Sequence, residues 1–213
     1  MDPFSARAVR SAYDRVAEDY ATAFADDLKR LPVDTVVLEE AGKSLLGDGP
    51  VLDLGCGPGH VAQFLSLRGV RVIGVDLAPG MLAVARARFS RRPVAAGDLR
   101  CLPVRTGSCA GAVAFYSLQH VPRSSLGSAL AEIRRVLTRR ALLVVAAHLG
   151  EGEFFADELL GHTFPKVGGC FYAADEMVQA VAGNGFVVES DRQRGPLPHE
   201  HPSQRIYLLA RAV

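Results

Sequence analysis

Five short runs, Val51 to Leu54, Arg71 to Val75, Val94 to Ala96, Ala112 to Phe115 and Leu142 to Ala147, are apolar without alternation, and helical stretches fall between most of them. Strands of that kind need cover on both faces, which a parallel sheet with helical crossovers provides. The end of the chain reads differently. Phe186 to Glu189 and Arg205 to Ala210 are strand-like, but the proline-rich segment Gly195 to Pro202 between them has no room for a crossover helix. The last strand is therefore expected to run antiparallel to its neighbour. No repeat or linker divides the 213 residues, so a single domain with one sizeable core is expected.

Ahead of the first strand, Asp2 and Pro3 suit a helix start, and Phe4, Ala8, Tyr13, Val16, Tyr20 and Phe24 recur at near-helical spacing. A second helix is expected from Thr35 to Leu46, ending at Gly47-Asp48-Gly49-Pro50. A net charge of +1 offers no electrostatic footprint for nucleic acid or an anionic membrane. Cys56, Cys101, Cys109 and Cys170 are scattered without a C-x-x-C pair, which argues for neither zinc nor a disulfide framework and fits a reduced, cytoplasmic setting. The N-terminus lacks the apolar core of a signal peptide, and no apolar run reaches the roughly 18 residues of a membrane span.

The first strand continues into D53-L-G55-C-G57-P-G59, a glycine loop that opens a helix. Glycines there let a ligand approach the main chain closely, and the helix start carries partial positive charge. Asp76 ends the second strand roughly 20 residues further on, where a carboxylate accepts hydrogen bonds from ribose hydroxyls. Asp98 and Leu99 follow the third strand, placed to accept from an adenine amino group and to pack on the ring, although an aspartate here also forms turns. Asp53 discriminates among nucleosides: it would repel a pyrophosphate, whereas a cationic amino group would pair with it, directly or through water. S-adenosylmethionine carries both ammonium and nucleoside, and it has no need of the third glycine of G-x-G-x-x-G, whose place is taken by His60.

With these features, Asp76, D98-L99 and F115-Y-S-L-Q-H120-V-P122, the chain resembles class I S-adenosylmethionine-dependent methyltransferases acting on small molecules. Y13-D-R-V-A-E-D-Y20 is similar to the N-terminal helix that closes over the cofactor in that family, and the tail resembles one bacterial subgroup. The resemblance implies an α/β, Rossmann-like doubly wound sheet of seven strands in the order 3-2-1-4-5-7-6, strand 7 antiparallel. It implies that residues 1–48 form a helical cap. Gly55, Gly57 and Gly59 would pass under the cofactor, Asp53 would face its amino group and Asp76 its ribose. Leu77 and Met81 would flank the adenine, with Asp98 and Leu99 on its far edge. Phe115 and Tyr116 would line the methionine portion, and Tyr20 would reach its carboxylate. In one departure, T138-R-R-A141 replaces the usual proline and glycines before strand 5.

Methyl transfer is an in-line displacement at an activated carbon, so a general base matters only where the acceptor must lose a proton. His120 and His148, beyond strand 4 and at the end of strand 5, are the candidates. Residues 149–173 make a long, aromatic and glycine-rich connection, read as a substrate-side loop or lid, with a short helix over Phe154 to Leu160 as the alternative. His162, His199, Glu200 and His201 sit in surface-type segments and are not expected to hold a metal. Short-chain oxidoreductases are excluded, since no tyrosine is followed four residues later by lysine. F115-Y-S-L118 lacks the N/D-P-P-Y/F segment of nucleic-acid amine methyltransferases. A small-molecule acceptor methylated on oxygen or nitrogen is thus expected, with a protein that binds the cofactor without turnover as the non-enzyme alternative and a nucleic-acid or protein acceptor ranked below it.

Overall fold

The computed structural model describes residues 2–47, 49–89 and 93–213; Met1 and Asp48, the two ends of the expected cap, lie outside them. Strands β1 (Val51–Leu54), β2 (Val72–Asp76), β3 (Val94–Ala96), β4 (Cys109–Phe115), β5 (Leu137–Leu149), β8 (Phe186–Arg194) and β9 (Gln204–Ala212) form one sheet in the order β3-β2-β1-β4-β5-β9-β8. The first five pair in parallel, and β9 runs antiparallel to both β5 and β8. This is the expected order, with β8 and β9 as the sixth and seventh strands of the sheet.

Both faces of the sheet are covered, as the unalternated apolar runs require. Leu143 and Val145 of β5 face α6 (Leu126–Val136) and α7 (Ala174–Gly183), while Leu142, Val144 and Ala146 join α3 (Pro32–Leu45) and α4 (His60–Ser66) on the other side. A third apolar cluster lies above the sheet's carboxyl edge. There Val9, Ala12 and Val16 of α1 (Ala6–Ala23) meet Met81 and Val84 of α5 (Pro79–Arg88).

Three local expectations are corrected. Helix α1 starts at Ala6 rather than Pro3, because Ser5 caps it by accepting from the Ala8 N–H at 3.3 Å, while Asp2 is spent on the Phe4 N–H at 2.9 Å. Helix α3 starts at Pro32, whose missing N–H costs nothing in a first turn. The connection after β5 is neither an open loop nor a helix: it is an antiparallel hairpin of β6 (Glu153–Leu159) and β7 (His162–Cys170). Its Val167 and Phe164 join the α1–α5 cluster, so the hairpin folds back over the sheet edge against α1. The unusual T138-R-R-A141 segment belongs to β5 itself, with Arg140 left-handed (φ 64°) where the pairing with β4 shifts register.

Candidate active site

A cavity lies at the carboxyl ends of β1, β2 and β4, closed on one side by α1. Tyr20, Gly55, Gly57, Asp76, Leu77, Met81, Asp98, Leu99, Phe115, Tyr116 and His120 line it, so a sequence spread over a hundred positions converges as expected. Asp53, Gly59 and His148 stand outside its wall.

The glycine loop shows why the chain must be bare there. Gly55 is left-handed (φ 69°), and a Cβ on it would come within 2.3 Å of the Ser117 Cβ. Gly57 is also left-handed (φ 50°), but a Cβ there would meet nothing within 4 Å, so its main chain borders open space in the cavity wall. Asp76 ties this loop to β2. Its Oδ2 accepts from the Gly57 N–H at 2.7 Å and its Oδ1 from the Ala78 N–H at 2.8 Å. Burial raises its pKa above the ordinary carboxylate value, against the opposing pull of these bonds. Each oxygen keeps accepting capacity for a ribose hydroxyl.

Elsewhere on the cavity wall, Asp98 is held in a fork by Arg100, with Nε to Oδ1 at 2.9 Å and Nη2 to Oδ2 at 2.6 Å. That pairing keeps the Asp98 carboxyl below its ordinary range. Asp53 is only 2% exposed, and its Oδ2 accepts from the Ala62 N–H at 2.9 Å. Burial pushes it up to about 7. Asp53 thus fastens the first turn of α4 through one of its two oxygens.

The two candidate bases are not equivalent. The carbonyl of Gly168, on β7, lies 3.1 Å from Nδ1 of His120, and a carbonyl only accepts, so Nδ1 carries the proton. Nε2 is then the bare nitrogen, and it accepts from the Tyr13 hydroxyl at 2.7 Å. Burial lowers the basicity of His120 and raises the Tyr13 phenol. His148 instead packs behind Tyr116, ring centroids 5.0 Å apart, with Nδ1 2.8 Å from the Ser203 hydroxyl. Burial, then Arg205, lowers it to about 4.

Tyr116 is left-handed (φ 54°), a conformation that a bulky residue holds only when its surroundings fix it. Its hydroxyl donates to Oδ1 of fully buried Asp34 at 2.7 Å, and Asp34 Oδ2 also accepts from Tyr207 at 2.8 Å and Arg194 at 3.1 Å. Arg194 in turn pairs with Glu200 at 2.5 Å. Sequence reasoning missed Tyr13, Asp34, His60 and Ser117, all of which line the cavity. Tyr13 alone had a signal, since it lies two helical turns from Tyr20 and so shares its face.

The residues present suit S-adenosylmethionine. The bare Gly57 main chain and the Asp76 carboxylate border the cavity, and beside the same loop, against Gly55, the shielded Ser117 hydroxyl has no hydrogen-bond partner among the described residues. A methyltransferase-domain family matches residues 51–140. The chain is 35% identical over 174 residues to a malonyl-[acyl-carrier protein] O-methyltransferase of Serratia marcescens, covering 79% of this chain and 62% of that protein. For the Yersinia pestis protein of the same name the figures are 36% over 169 residues, 76% and 57%. The chain thus spans about six tenths of the length of these curated relatives. Among solved structures, the fold matches a Burkholderia thailandensis 1,6-didemethyltoxoflavin-N1-methyltransferase with bound 1,6-didemethyltoxoflavin and S-adenosylhomocysteine, at TM-score 0.73 and 19% identity over 98% of this chain and 88% of that one. By its methyltransferase domain, its fold and its relatives, the chain belongs to the class I S-adenosylmethionine-dependent methyltransferases, and S-adenosylmethionine is its cofactor.

Proposed function

We propose that the chain transfers a methyl group to an oxygen of a small-molecule acceptor lying beside Tyr13 and His120, with the hairpin β6–β7 as the acceptor-side wall and residues 1–48 as the cap over the cofactor. The observation that carries this reading is the fixed tautomer of His120, which leaves a bare nitrogen paired with Tyr13 at the cavity wall. S-adenosylmethionine supplies, when bound, a methyl group already activated by a positive sulfur, so the chain's part is placement. Asp76 takes the ribose, Leu77, Met81 and Leu99 flank the adenine, and Arg100 holds Asp98 toward its edge. Phe115, Tyr116 and Tyr20 border the methionine end. His120 takes up the proton that a hydroxyl acceptor loses as it attacks, through the Tyr13 hydroxyl; Gly168 keeps the imidazole oriented. The four free cysteines, three of them buried, fit a protein kept in a reducing cytoplasm.

A second reading follows from the two curated relatives, whose names specify a malonyl group on a carrier protein: the acceptor is a carboxylate. A carboxylate is ionised at neutral pH and needs no base, so His120→Asn separates the readings. The assay measures S-adenosylhomocysteine formed with malonyl thioester and with hydroxylated aromatic acceptors. A hydroxyl acceptor should lose about 10²- to 10⁴-fold in rate in the variant, and a carboxylate little. Tight cofactor binding without S-adenosylhomocysteine from either set would favour a silent binding protein.

A further inference from the structure

Residues 195–203, the connection between β8 and β9, lie outside the span matched by the methyltransferase family and outside the cavity wall, yet two of their side chains lead to one residue of that wall. That residue is Tyr116. Its left-handed backbone (φ 54°) is a conformation that a bulky side chain keeps only under restraint, and such strain gathers at functional sites.

One arm starts at Glu200 and ends on the Tyr116 hydroxyl. Glu200 accepts from the Leu197 N–H at 2.6 Å, which fixes it within its own turn, and from the two Nη atoms of Arg194 at 2.5 and 2.8 Å. Arg194 donates in turn to Oδ2 of Asp34 at 3.1 Å, and Oδ1 of Asp34 accepts from Tyr116 at 2.7 Å. The side chains of Glu200, Arg194 and Asp34 are at most 12% exposed. Buried ion pairs are often no more stabilising than apolar side chains of the same volume, so placement of what they hold is the stronger reason for building one.

The other arm starts at Ser203 and ends on the Tyr116 ring. The Ser203 hydroxyl lies 2.8 Å from Nδ1 of His148, whose imidazole packs on Tyr116 with ring centroids 5.0 Å apart. His201, from the same connection, sets its ring 5.9 Å from His148 and stacks on Phe171 with ring centroids 5.8 Å apart. His148 is thereby held from behind.

We propose that Glu200 and Ser203 are positioning residues for methyl transfer: acting through Arg194 and Asp34 on one side and through His148 on the other, they hold Tyr116 in the conformation that shapes the cavity. This rests on the reading that puts Tyr116 beside the methionine end of the cofactor. The two arms converge on a single side chain, so either alone keeps much of its orientation, and only the loss of both releases it. Their effects are therefore coupled rather than independent.

The test joins calorimetry to nuclear magnetic resonance of the full chain carrying isotope-labelled tyrosine, which gives one resonance for each of its five tyrosines, with Tyr116→Phe identifying the one of interest. The ligands are S-adenosylhomocysteine and 5′-methylthioadenosine, which lacks the amino-acid end. Ser203→Ala and Glu200→Gln should each weaken S-adenosylhomocysteine about threefold and the double variant about thirtyfold, with 5′-methylthioadenosine changed less than about twofold and Ser203→Thr close to the parent. In the double variant the Tyr116 resonance should shift or broaden while that of Tyr13 stays in place. An unmoved Tyr116 resonance, a double loss no larger than the product of the single losses, or equal losses for the two ligands would each overturn the proposal. If the unaltered protein binds S-adenosylhomocysteine without moving the Tyr116 resonance, the placement of Tyr116 fails and the proposal with it; if it binds neither ligand, it is the cofactor assignment that fails.

Discussion

Replacing Asp34 tests whether the left-handed Tyr116 at the cavity wall is held by a buried charge. Its side chain is 1% exposed, and it accepts from Tyr116 (2.7 Å), Tyr207 (2.8 Å) and Arg194 (3.1 Å). Removing one member of a buried ion pair costs roughly 3 to 5 kcal/mol when the other is stranded. Here Arg194 keeps Glu200 at 2.5 and 2.8 Å, and the Tyr207 oxygen keeps the Arg194 Nε donor at 2.8 Å. Little beyond the proton of one tyrosine hydroxyl is left without an acceptor, so Asp34→Ala should sit near the lower limit, at about 3 kcal/mol. Asp34→Asn preserves shape and one acceptor and should cost less, about 1 to 2 kcal/mol. Urea denaturation measures this as a lowered midpoint with an unchanged slope. The double variant Asp34→Ala/Tyr207→Phe removes the hydroxyl as well, so it should lose less than the sum of the two single variants. An Asp34→Ala midpoint within about 0.5 kcal/mol of the parent, or strict additivity with Tyr207→Phe, would refute the network as a source of stability.

Glu200, beside Arg194 and Arg205, is held down to about 2 by its bond to Arg194. Its carboxylate is therefore more acidic folded than unfolded, so its contribution is present above the unfolded value near 4.5 and is lost as pH falls toward 2. Acid unfolding should be less steep in Glu200→Gln across that window, and identical acid titrations would count against the pairing. Gly55→Ala forces a side chain into left-handed backbone and to within 2.3 Å of the Ser117 Cβ; it should cost at least about 1 to 2 kcal/mol and abolish S-adenosylhomocysteine binding in calorimetry. Leu160 is left-handed (φ 52°) in the two-residue turn of the hairpin and 40% exposed, so Leu160→Asn should raise the urea midpoint by about 0.5 to 1 kcal/mol. A lowered midpoint would show that the leucine packs in a way its exposure does not suggest.

That turn also explains what was hidden in the sequence. Strands β1, β2, β4 and β5 were legible because a centrally placed parallel strand is apolar at almost every position, a pattern set by the strand itself and its two covers. The hairpin carries no such mark. A two-residue turn is signalled by Asn-Gly or Gly-Gly, and here Leu160 takes the left-handed position while Pro165 interrupts β7, a residue that argues against any strand not at an edge. In a two-stranded hairpin both strands are edges, so the proline is tolerated. An acidic residue in a buried strand announces a need, and the sequence does not show that the Ala62 N–H, nine positions along the same chain, meets part of it.

The residues that were missed share one property: their roles exist only between distant elements. Tyr13 and His120 lie 107 positions apart, and Asp34 and Tyr207 lie 173 apart. In one-dimensional reading Tyr13 is another apolar-face residue of α1, and Asp34 is an ordinary first-turn acid of α3. Only the fold brings α1 against β7, where the Gly168 N–H donates to the Pro3 carbonyl at 2.9 Å while its own carbonyl orients His120. A single residue of the hairpin therefore fixes both the entry of the helix that roofs the cavity and the tautomer of His120 at its wall. Displacing the hairpin would open the roof and release the imidazole in one movement. The closure of the cavity and the orientation of His120 are thus coupled through Gly168, where a Cβ would lie 2.7 Å from the Phe4 ring.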